Sequence, residues 1–495
     1  MKHASTTGAD AVTHAPATEA LYDAEVLIIG SGAGGATTAA LLAEAGFDVL
    51  IVEEGDWVEQ GTVVPFSLDQ MNRQYRSGGV TVALGLPSIA YTEGRCAGGG
   101  TEVNSGLYRR PPAELLDRWR TQYHIRDLDP DEMYAIAEEV ETALNVTPVP
   151  GAVSPASTVL QRGADALHWQ NSESPRWMKY PAGGSAASGQ RQSMTRTYLP
   201  RAQRAGARLL TQCRVRRLSI NGTRASDAEV VLADGSPGRI RFRHVFVCGG
   251  AIHTPALLQR SGLRERIGDT LAVHPTVKLA ARFPDPINMP DDVPVHQVKE
   301  FAPEISFGGS ASNPGLVALS LADNWGQFSH ALQDWERVCV YYAAITSEGK
   351  GRVKAIPGLR DPLVTYHLTA RDRQMLRSGL SRLALLMLAA GADEVYPSYH
   401  HAPIVRSTAD IAELQRSFAT TKATVMTVHL CSTVPLGEHP RCAADSFGQV
   451  RGMKNVWVND ASMLPDAPGV NPQGSVMAFA VRNARRFIGT ERPRG

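Results

Sequence analysis

The six cysteines of this 495-residue chain, Cys96, Cys213, Cys248, Cys339, Cys431 and Cys442, include no C-x-x-C pair. That spacing excludes a zinc ribbon and a thioredoxin-type redox pair. No His/Cys/carboxylate cluster has metal-ligand spacing, so no metal is expected. Scattered single thiols suit a reducing compartment, and a cytoplasmic location is the expectation. Neither sign of charge is in excess, with 50 Lys and Arg against 49 Asp and Glu. This balance argues against nucleic acid or an anionic membrane as partner, and against phosphorylated or strongly anionic substrates. Long apolar runs are missing too. The longest apolar helix candidate, 380–390, is far short of the roughly 20 residues of a membrane span. Residues 1–20 lack the apolar core of a signal peptide and read as a flexible tail. There are no internal repeats.

What the chain does contain is a dense signal at 25–54. Val26 to Ile29 form an apolar run suited to a buried parallel strand. The turn Gly30-Ser31-Gly32-Ala33-Gly34-Gly35 follows, with the G-x-G-x-x-G count on Gly30, Gly32 and Gly35. An Ala/Leu-rich helix over 36–45 stops at Gly46, and Val49 to Val52 form a second strand ending at Glu53. This is a βαβ unit with an acid placed for a ribose, roughly 20 residues after the first glycine. Gly30 permits the tight turn, Gly32 lets a pyrophosphate approach the backbone, and Gly35 lets helix and strand pack closely. The helix N-terminus offers free N–H groups to the phosphates. The motif does not by itself separate FAD from NAD.

Further along, 55–88 carries few regular signals. Gly98, Gly99 and Gly100 demand a loop where backbone approaches something closely. Residues 111–144 read as helices broken before Pro130, and 148–193 as irregular, most of all 182–189. Strands are expected over 208–220, 228–232 and 241–248, then a helix opened by Thr254-Pro255. Residues 283–365 are rich in proline and aromatics and read as a β-rich unit. Thr369 caps a helix over 370–390 that stops at Gly391, and a last helix spans about 475–487.

Three further stretches, read with the first, carry a resemblance. Gly94-Arg95-Cys96-Ala97-Gly98-Gly99-Gly100-Thr101-Glu102-Val103-Asn104, Gly249-Gly250-Ala251-Ile252-His253-Thr254-Pro255, and His429-Leu430-Cys431-Ser432-Thr433-Val434-Pro435-Leu436-Gly437 stand in that order. Asp460-Ala461-Ser462 and Gly469-Val470-Asn471-Pro472-Gln473 follow. Together they resemble the signatures of the glucose–methanol–choline (GMC) oxidoreductases, a family of FAD enzymes. The text around Tyr108-Arg109-Arg110-Pro111 and His274-Pro275 is most similar to the bacterial and long-chain alcohol oxidase branch. Departures are Ala97, Arg264, and Ser432, Val434 and Leu436, the last three standing where Gly, Cys and Met are usual.

The resemblance implies an α/β fold: a Rossmann-type FAD-binding domain built from discontinuous segments, with an inserted β-rich (α+β) substrate-binding domain. The expected FAD portion is 21–110, 190–285 and 424–495, and the substrate or cap portion 111–189 and 286–423. The implied cofactor residues are Gly30, Gly32, Ala33, Gly34, Gly35, Glu53, Arg95, Gly98, Gly99, Gly100, Asn104, Val215, Gly249, Asp460, Ala461, Asn471, Pro472 and Gln473. Val103 stands where some members carry the histidine that links FAD covalently, so non-covalent FAD is expected.

Oxidising a C–H beside an O–H needs a hydride acceptor and a group to take the hydroxyl proton. The isoalloxazine N5 is the implied acceptor and His429 the implied base, with Asn471 binding the same oxygen. The expected reaction is alcohol to carbonyl, with an apolar alcohol as substrate and O2 or another molecule as electron acceptor. The resemblance leaves open a flavin-containing lyase, similar to the hydroxynitrile lyases, in which FAD is structural. Cys431 is read as a buried inert thiol more than a pocket residue, and His274 as a residue that shapes a loop before Pro275.

Overall fold

The computed structural model describes residues 20–184, 188–289 and 292–494. The tail expected at 1–20 therefore lies outside the described residues except for its last position, as do 185–187 of the stretch expected to be most irregular. Two large sheets organise the chain. The first has seven strands, with Ala20–Ile29 and Val49–Val52 parallel at its centre. Val26, Leu27, Ile28, Val49 and Ile51 are completely shielded, as strands covered on both faces require. Pro237–Val247 runs parallel to the first strand, and Arg208–Leu210 closes the other side beside Val49–Val52. Pro237–Val247 meets two partners along its other edge: Arg224–Val231 antiparallel at its start and Val456–Val458 parallel at its end.

Helix Ala33–Glu44 leaves the first strand through the glycine turn and packs on the last helix, Gln473–Thr490. Close approach explains the glycines here. Gly30 has φ +102°, and a Cβ on it would lie 2.3 Å from the Cys248 carbonyl oxygen. One on Gly34 would lie 1.9 Å from the Asn459 carbonyl oxygen.

The second sheet has nine strands and is almost wholly antiparallel. Its centre is Thr276–Arg282, paired with Val338–Ile345 on one side and with Glu394–Pro397 and Val425–Thr427 on the other. Thr81–Ala83 and Ile89–Tyr91 extend it. These short strands, with 276–282 and 425–427, were expected on the cofactor side, yet they build the sheet that faces it. Helix Ala370–Ala389 covers this sheet, begun by a reciprocal capping box between Thr369 and Asp372.

Local expectations fail where tertiary contacts decide. The span 148–193 holds a helix, Pro155–Ala166, whose N-cap Ser154 receives the Ser157 N–H. It also holds strands Asn171–Glu173 and Arg176–Lys179. The β-rich unit contains a helix, Pro314–Leu321, and 3-10 turns through Arg337. The strand expected over 208–220 is two strands, 208–210 and Arg214–Asn221, in different places of the first sheet. The helix expected from Thr254 starts at Gly250, so Pro255 sits inside it. Proline cannot donate to the carbonyl four residues back. That carbonyl, on Ala251, instead accepts the Thr433 hydroxyl at 2.6 Å.

Candidate active site

A cavity of about 620 Å³ lies between the two sheets, within the size range of small-molecule and cofactor sites. One wall is the glycine turn, the other the inner face of the second sheet. The helix Ala33–Glu44 points its first N–H groups at this space, and they have no intrahelical partners. No protein atom lies within 4 Å of a Cβ built on Gly32 or on Gly100, so both glycines border open room. Gly99 closes on the turn itself, its built Cβ 3.1 Å from Gly32 Cα.

Glu53 is buried beside this wall. Its Oε2 accepts the Ser31 N–H (3.0 Å) and hydroxyl (2.7 Å), and its Oε1 accepts the Gly55 N–H (2.8 Å). A carboxylate has about four acceptor positions, so one remains for a ribose hydroxyl. Burial raises the Glu53 pKa, against those three hydrogen bonds. The turn, the N–H cluster and the spare acceptor together fit an ADP-bearing cofactor.

Of the residues implied for the cofactor, Gly30, Gly32, Ala33, Gly34, Glu53, Gly99, Gly100, Asn104, Val215, Gly249, Asp460, Ala461, Asn471, Pro472 and Gln473 all line the cavity. Three do not. Gly35 packs under Gly30, its built Cβ 2.0 Å from that carbonyl oxygen. Gly98 lies over the Glu102 side chain and donates its N–H to Ser31 Oγ at 3.1 Å. Arg95 does not reach the lining, its Nε lying 3.6 Å from the Glu54 carboxylate. The Asp460 carboxylate is a brace. It accepts from Gly250 N–H (2.7 Å), Thr254 hydroxyl (2.5 Å) and Ser462 N–H (2.8 Å), tying the second glycine pair to the closing segment. Asn104 donates to Gln473 Oε1 at 2.8 Å, joining the first and last signatures. Position 103, which faces the cavity, is valine and offers no nitrogen for a covalent link.

At the far end of the cavity His429 and Asn471 meet, Nε2 to Nδ2 at 3.5 Å. His429 is not on a strand. It stands in the break between Val425–Thr427 and the two-residue strand Leu430–Cys431. That short strand pairs antiparallel with Ala272–Val273, Ala272 opposite Cys431 and Val273 opposite Leu430. Carried one step further, the register sets His274 against His429, and their Nδ1 atoms lie 2.9 Å apart. The Gly469 N–H donates to His274 Nε2 at 3.0 Å. On the other side, Arg109 Nε donates to Gln297 Oε1 (3.3 Å), and Gln297 Nε2 donates to Asn471 Oδ1 (3.3 Å). The Asn471 amide therefore turns its N–H group toward His429.

Sequence reasoning missed His274, Gln297 and Arg109 as parts of this arrangement. Only the Arg109 and His274-Pro275 text carried a signal, and it pointed to a family branch. Burial lowers the His429 pKa to about 4, with Lys299 adding to it; burial, then His429 and Lys299, also holds that of His274 well below the ordinary histidine value. Both rings are neutral at neutral pH. Cys431 fits the inert reading: its thiol is buried, contacts the Ala272 and Asp466 carbonyls, and has its pKa pushed up to about 12 by burial. Ser432 adopts φ +69°, the left-handed region that explains why glycine is usual there; its hydroxyl is held by the Pro465 carbonyl.

Residues 71–276 and 348–480 match two family models, each described as GMC oxidoreductase, and together they cover more than half of the chain. The chain belongs to the GMC oxidoreductase family. It is thus an FAD-dependent oxidoreductase of α/β architecture, and residues 28–58 also match an NAD(P)-binding Rossmann-like domain. Among GMC-type relatives, one from Sinorhizobium fredii is 42% identical over 95% of both chains. A second, from Mycobacterium tuberculosis, is 32% identical over 94% of this chain and 76% of its own. A long-chain-alcohol oxidase of Arabidopsis thaliana is 26% identical over 92% of this chain and 66% of its own. Among solved structures, pyridoxine 4-oxidase from Mesorbium loti superposes with a TM-score of 0.71 at 20% identity, covering 94% of this chain and 99% of that one. That likeness concerns the fold. No helix among the described residues is long and apolar enough to cross a membrane, and no cluster of His, Cys, Asp or Glu among them could hold a metal ion.

Proposed function

We propose that this GMC oxidoreductase oxidises an alcohol to a carbonyl compound, with His429 and Asn471 binding the reacting oxygen. The observation that carries this reading is the meeting of His429 Nε2 and Asn471 Nδ2 at 3.5 Å on the cavity wall. Bound FAD supplies the hydride acceptor, N5 of its isoalloxazine. The relationship to a long-chain-alcohol oxidase supports an alcohol with an apolar body. So do the apolar residues Phe66, Met71, Leu316, Leu319 and Met426 along the cavity. Non-covalent attachment of FAD follows from Val103.

The chain's own groups have two tasks. Asn471, oriented through Gln297 by Arg109, presents an uncharged donor to the oxygen as it gains negative charge. His429 takes the alcohol proton at Nε2. In the resting network, however, Gly469 and His274 place the His429 hydrogen on Nε2 itself. Acting as base therefore requires the hydrogen on Nδ1, donated to His274, whose own hydrogen then moves to Nε2 against the Gly469 N–H. That leaves two N–H donors facing each other, at a cost of about 1–3 kcal/mol for each unsatisfied donor, still small beside a catalytic barrier. Once Nε2 has taken the alcohol proton, it and the Asn471 amide are two N–H donors around the oxygen.

Anaerobic mixing with alcohols graded in length tests the proposal. Bleaching of the flavin absorbance by an alcohol supports it. Turnover of a cyanohydrin without bleaching would establish the lyase alternative instead.

A further inference from the structure

The inner face of the second sheet forms the cavity floor, and its register shows what that floor presents. Thr276 pairs with Ala344, Lys278 with Tyr342 and Ala280 with Val340; Thr276, Lys278, Val340, Tyr342 and Ala344 all line the cavity. Period-2 alternation therefore sets Lys278 on the same face as Thr276, two residues on along a strand that starts beside the His274–His429 pair. Its backbone is pinned at the sheet centre, where its carbonyl also accepts the Ser398 N–H at 3.1 Å. Its neighbours along the floor are small or uncharged.

The Lys278 amine has no partner. Among the described residues, neither an ion pair nor a hydrogen bond engages it, and burial alone lowers its pKa to about 8. The acids that line the cavity face other groups. Glu53 accepts from Ser31 and Gly55, Glu54 is held by Arg76 (2.8 Å) and Arg360 (2.5 Å), Glu93 lies 3.8 Å from Arg76 and 3.6 Å from His253, Asp361 lies 3.5 Å from Arg76, and Asp460 has its four donors. A part-buried ammonium that faces a cavity without a counter-charge is poorly compensated, so its place on the floor of a ligand cavity points to a ligand that completes it. The cofactor's phosphates belong at the helix N-terminus on the opposite wall, which leaves the substrate to supply the charge.

We propose that Lys278 is a specificity residue that receives an anionic group, a carboxylate, on the substrate's far end, so that the substrate class is hydroxy acids with an apolar body between hydroxyl and carboxylate. This rests on the alcohol-oxidation reading above and refines it. The near-equal numbers of acids and bases argued against anionic substrates, but a whole-chain balance is blind to one cation facing a closed space.

The test compares ω-hydroxyalkanoates of graded length with 1-alkanols of the same length, in the FAD-loaded protein. Binding is read from perturbation of the flavin absorbance, using alkanoates that lack the hydroxyl and cannot reduce the flavin, and flavin reduction is read separately by anaerobic stopped flow. Wild type is expected to favour the carboxylate series at one optimal length by roughly 10- to 100-fold, the range of a charge-assisted hydrogen bond. Lys278→Met, which keeps the apolar stem, abolishes that preference, and Lys278→Arg restores part of it. Lys278→Met also raises the melting temperature, because the uncompensated charge is gone. A wild type without the preference at any length, or a Lys278→Met variant that keeps it, overturns the proposal. If no alcohol reduces the flavin, the activity reading fails, while the alkanoate titration still decides the role of Lys278.

Discussion

His274 and His429 face one another through their Nδ1 atoms at 2.9 Å, and this contact decides which nitrogen of His429 carries the hydrogen. The Gly469 N–H occupies His274 Nε2, so neutral His274 must carry its hydrogen on Nδ1. Neutral His429 accepts there and keeps its own hydrogen on Nε2. Histidine-selective 15N spectra of the wild type are expected to show His429 protonated at Nε2, and His274→Leu to show a mixture of tautomers. A wild-type His429 protonated at Nδ1 would contradict this network.

His429→Ala should slow single-turnover flavin reduction by on the order of 10²–10⁴-fold, the usual contribution of a general base. Asn471→Ala should slow it less. The double variant should lose no more than the product of the two, because both groups hold one oxygen. With the His429 pKa lowered to about 4, the imidazole stays unprotonated above that value. The reduction rate should therefore stay level as pH falls from 8 to about 5 and decline only below. A decline centred near 6.5 would mean that His429 titrates as an exposed histidine.

Two glycines of the same turn should fail differently. Gly34→Ala forces a methyl against the Asn459 carbonyl and should lower folding stability by about 1–3 kcal/mol or more. Gly32→Ala meets no protein atom, so the FAD-free protein should melt like wild type while its FAD affinity falls. Thermal melts of FAD-free protein and flavin titrations separate the two. Equal loss of stability in both would place the obstruction in the fold and not in the cofactor.

Thr433→Val should destabilise the protein by about 1–3 kcal/mol, since the buried Ala251 carbonyl loses its donor. Adding Pro255→Ala supplies the missing N–H within the helix. The double variant should then recover part of the loss, seen in urea unfolding as a non-additive cycle. Strict additivity would show that the hydroxyl does not stand in for the proline.

His244 is buried against Trp457 and Phe487, and its pKa is lowered to about 4 by burial first, then by Arg243, Arg224 and Arg494. The fold holds the ring neutral, whereas the unfolded chain takes up a proton below about 6.5. The associated stability is complete above 6.5 and is lost as pH falls toward 4, at about 1.4 kcal/mol per pH unit for one histidine. His244→Phe should flatten the acid side of the stability profile by that amount, measured by urea unfolding at pH 7 and pH 5. An unchanged slope would mean that His244 is already protonated in the folded state.

The βαβ unit was legible in the sequence because every part of it is local. The apolar strands, the glycine spacing and the acid after the second strand all fall within 25–54, and backbone sterics alone fix what such a string can form. The caps at Thr369 and Gly391 were legible for the same reason. Even the pairing of His429 with Asn471 came from signatures in the text. What the sequence could not show is each contact made across long separations. His274 and His429 stand 155 residues apart, and a two-residue ladder between 272–273 and 430–431 brings them face to face. Arg109 and Gln297 stand 188 apart, and they orient Asn471 from behind. Lys278 reads as one of 50 basic residues until the sheet register turns it into the cavity, where no acid pairs with it. Local chemistry wrote the cradle for the cofactor. The register of the second sheet, set by packing over the whole chain, decided which side chains line the far end of the cavity.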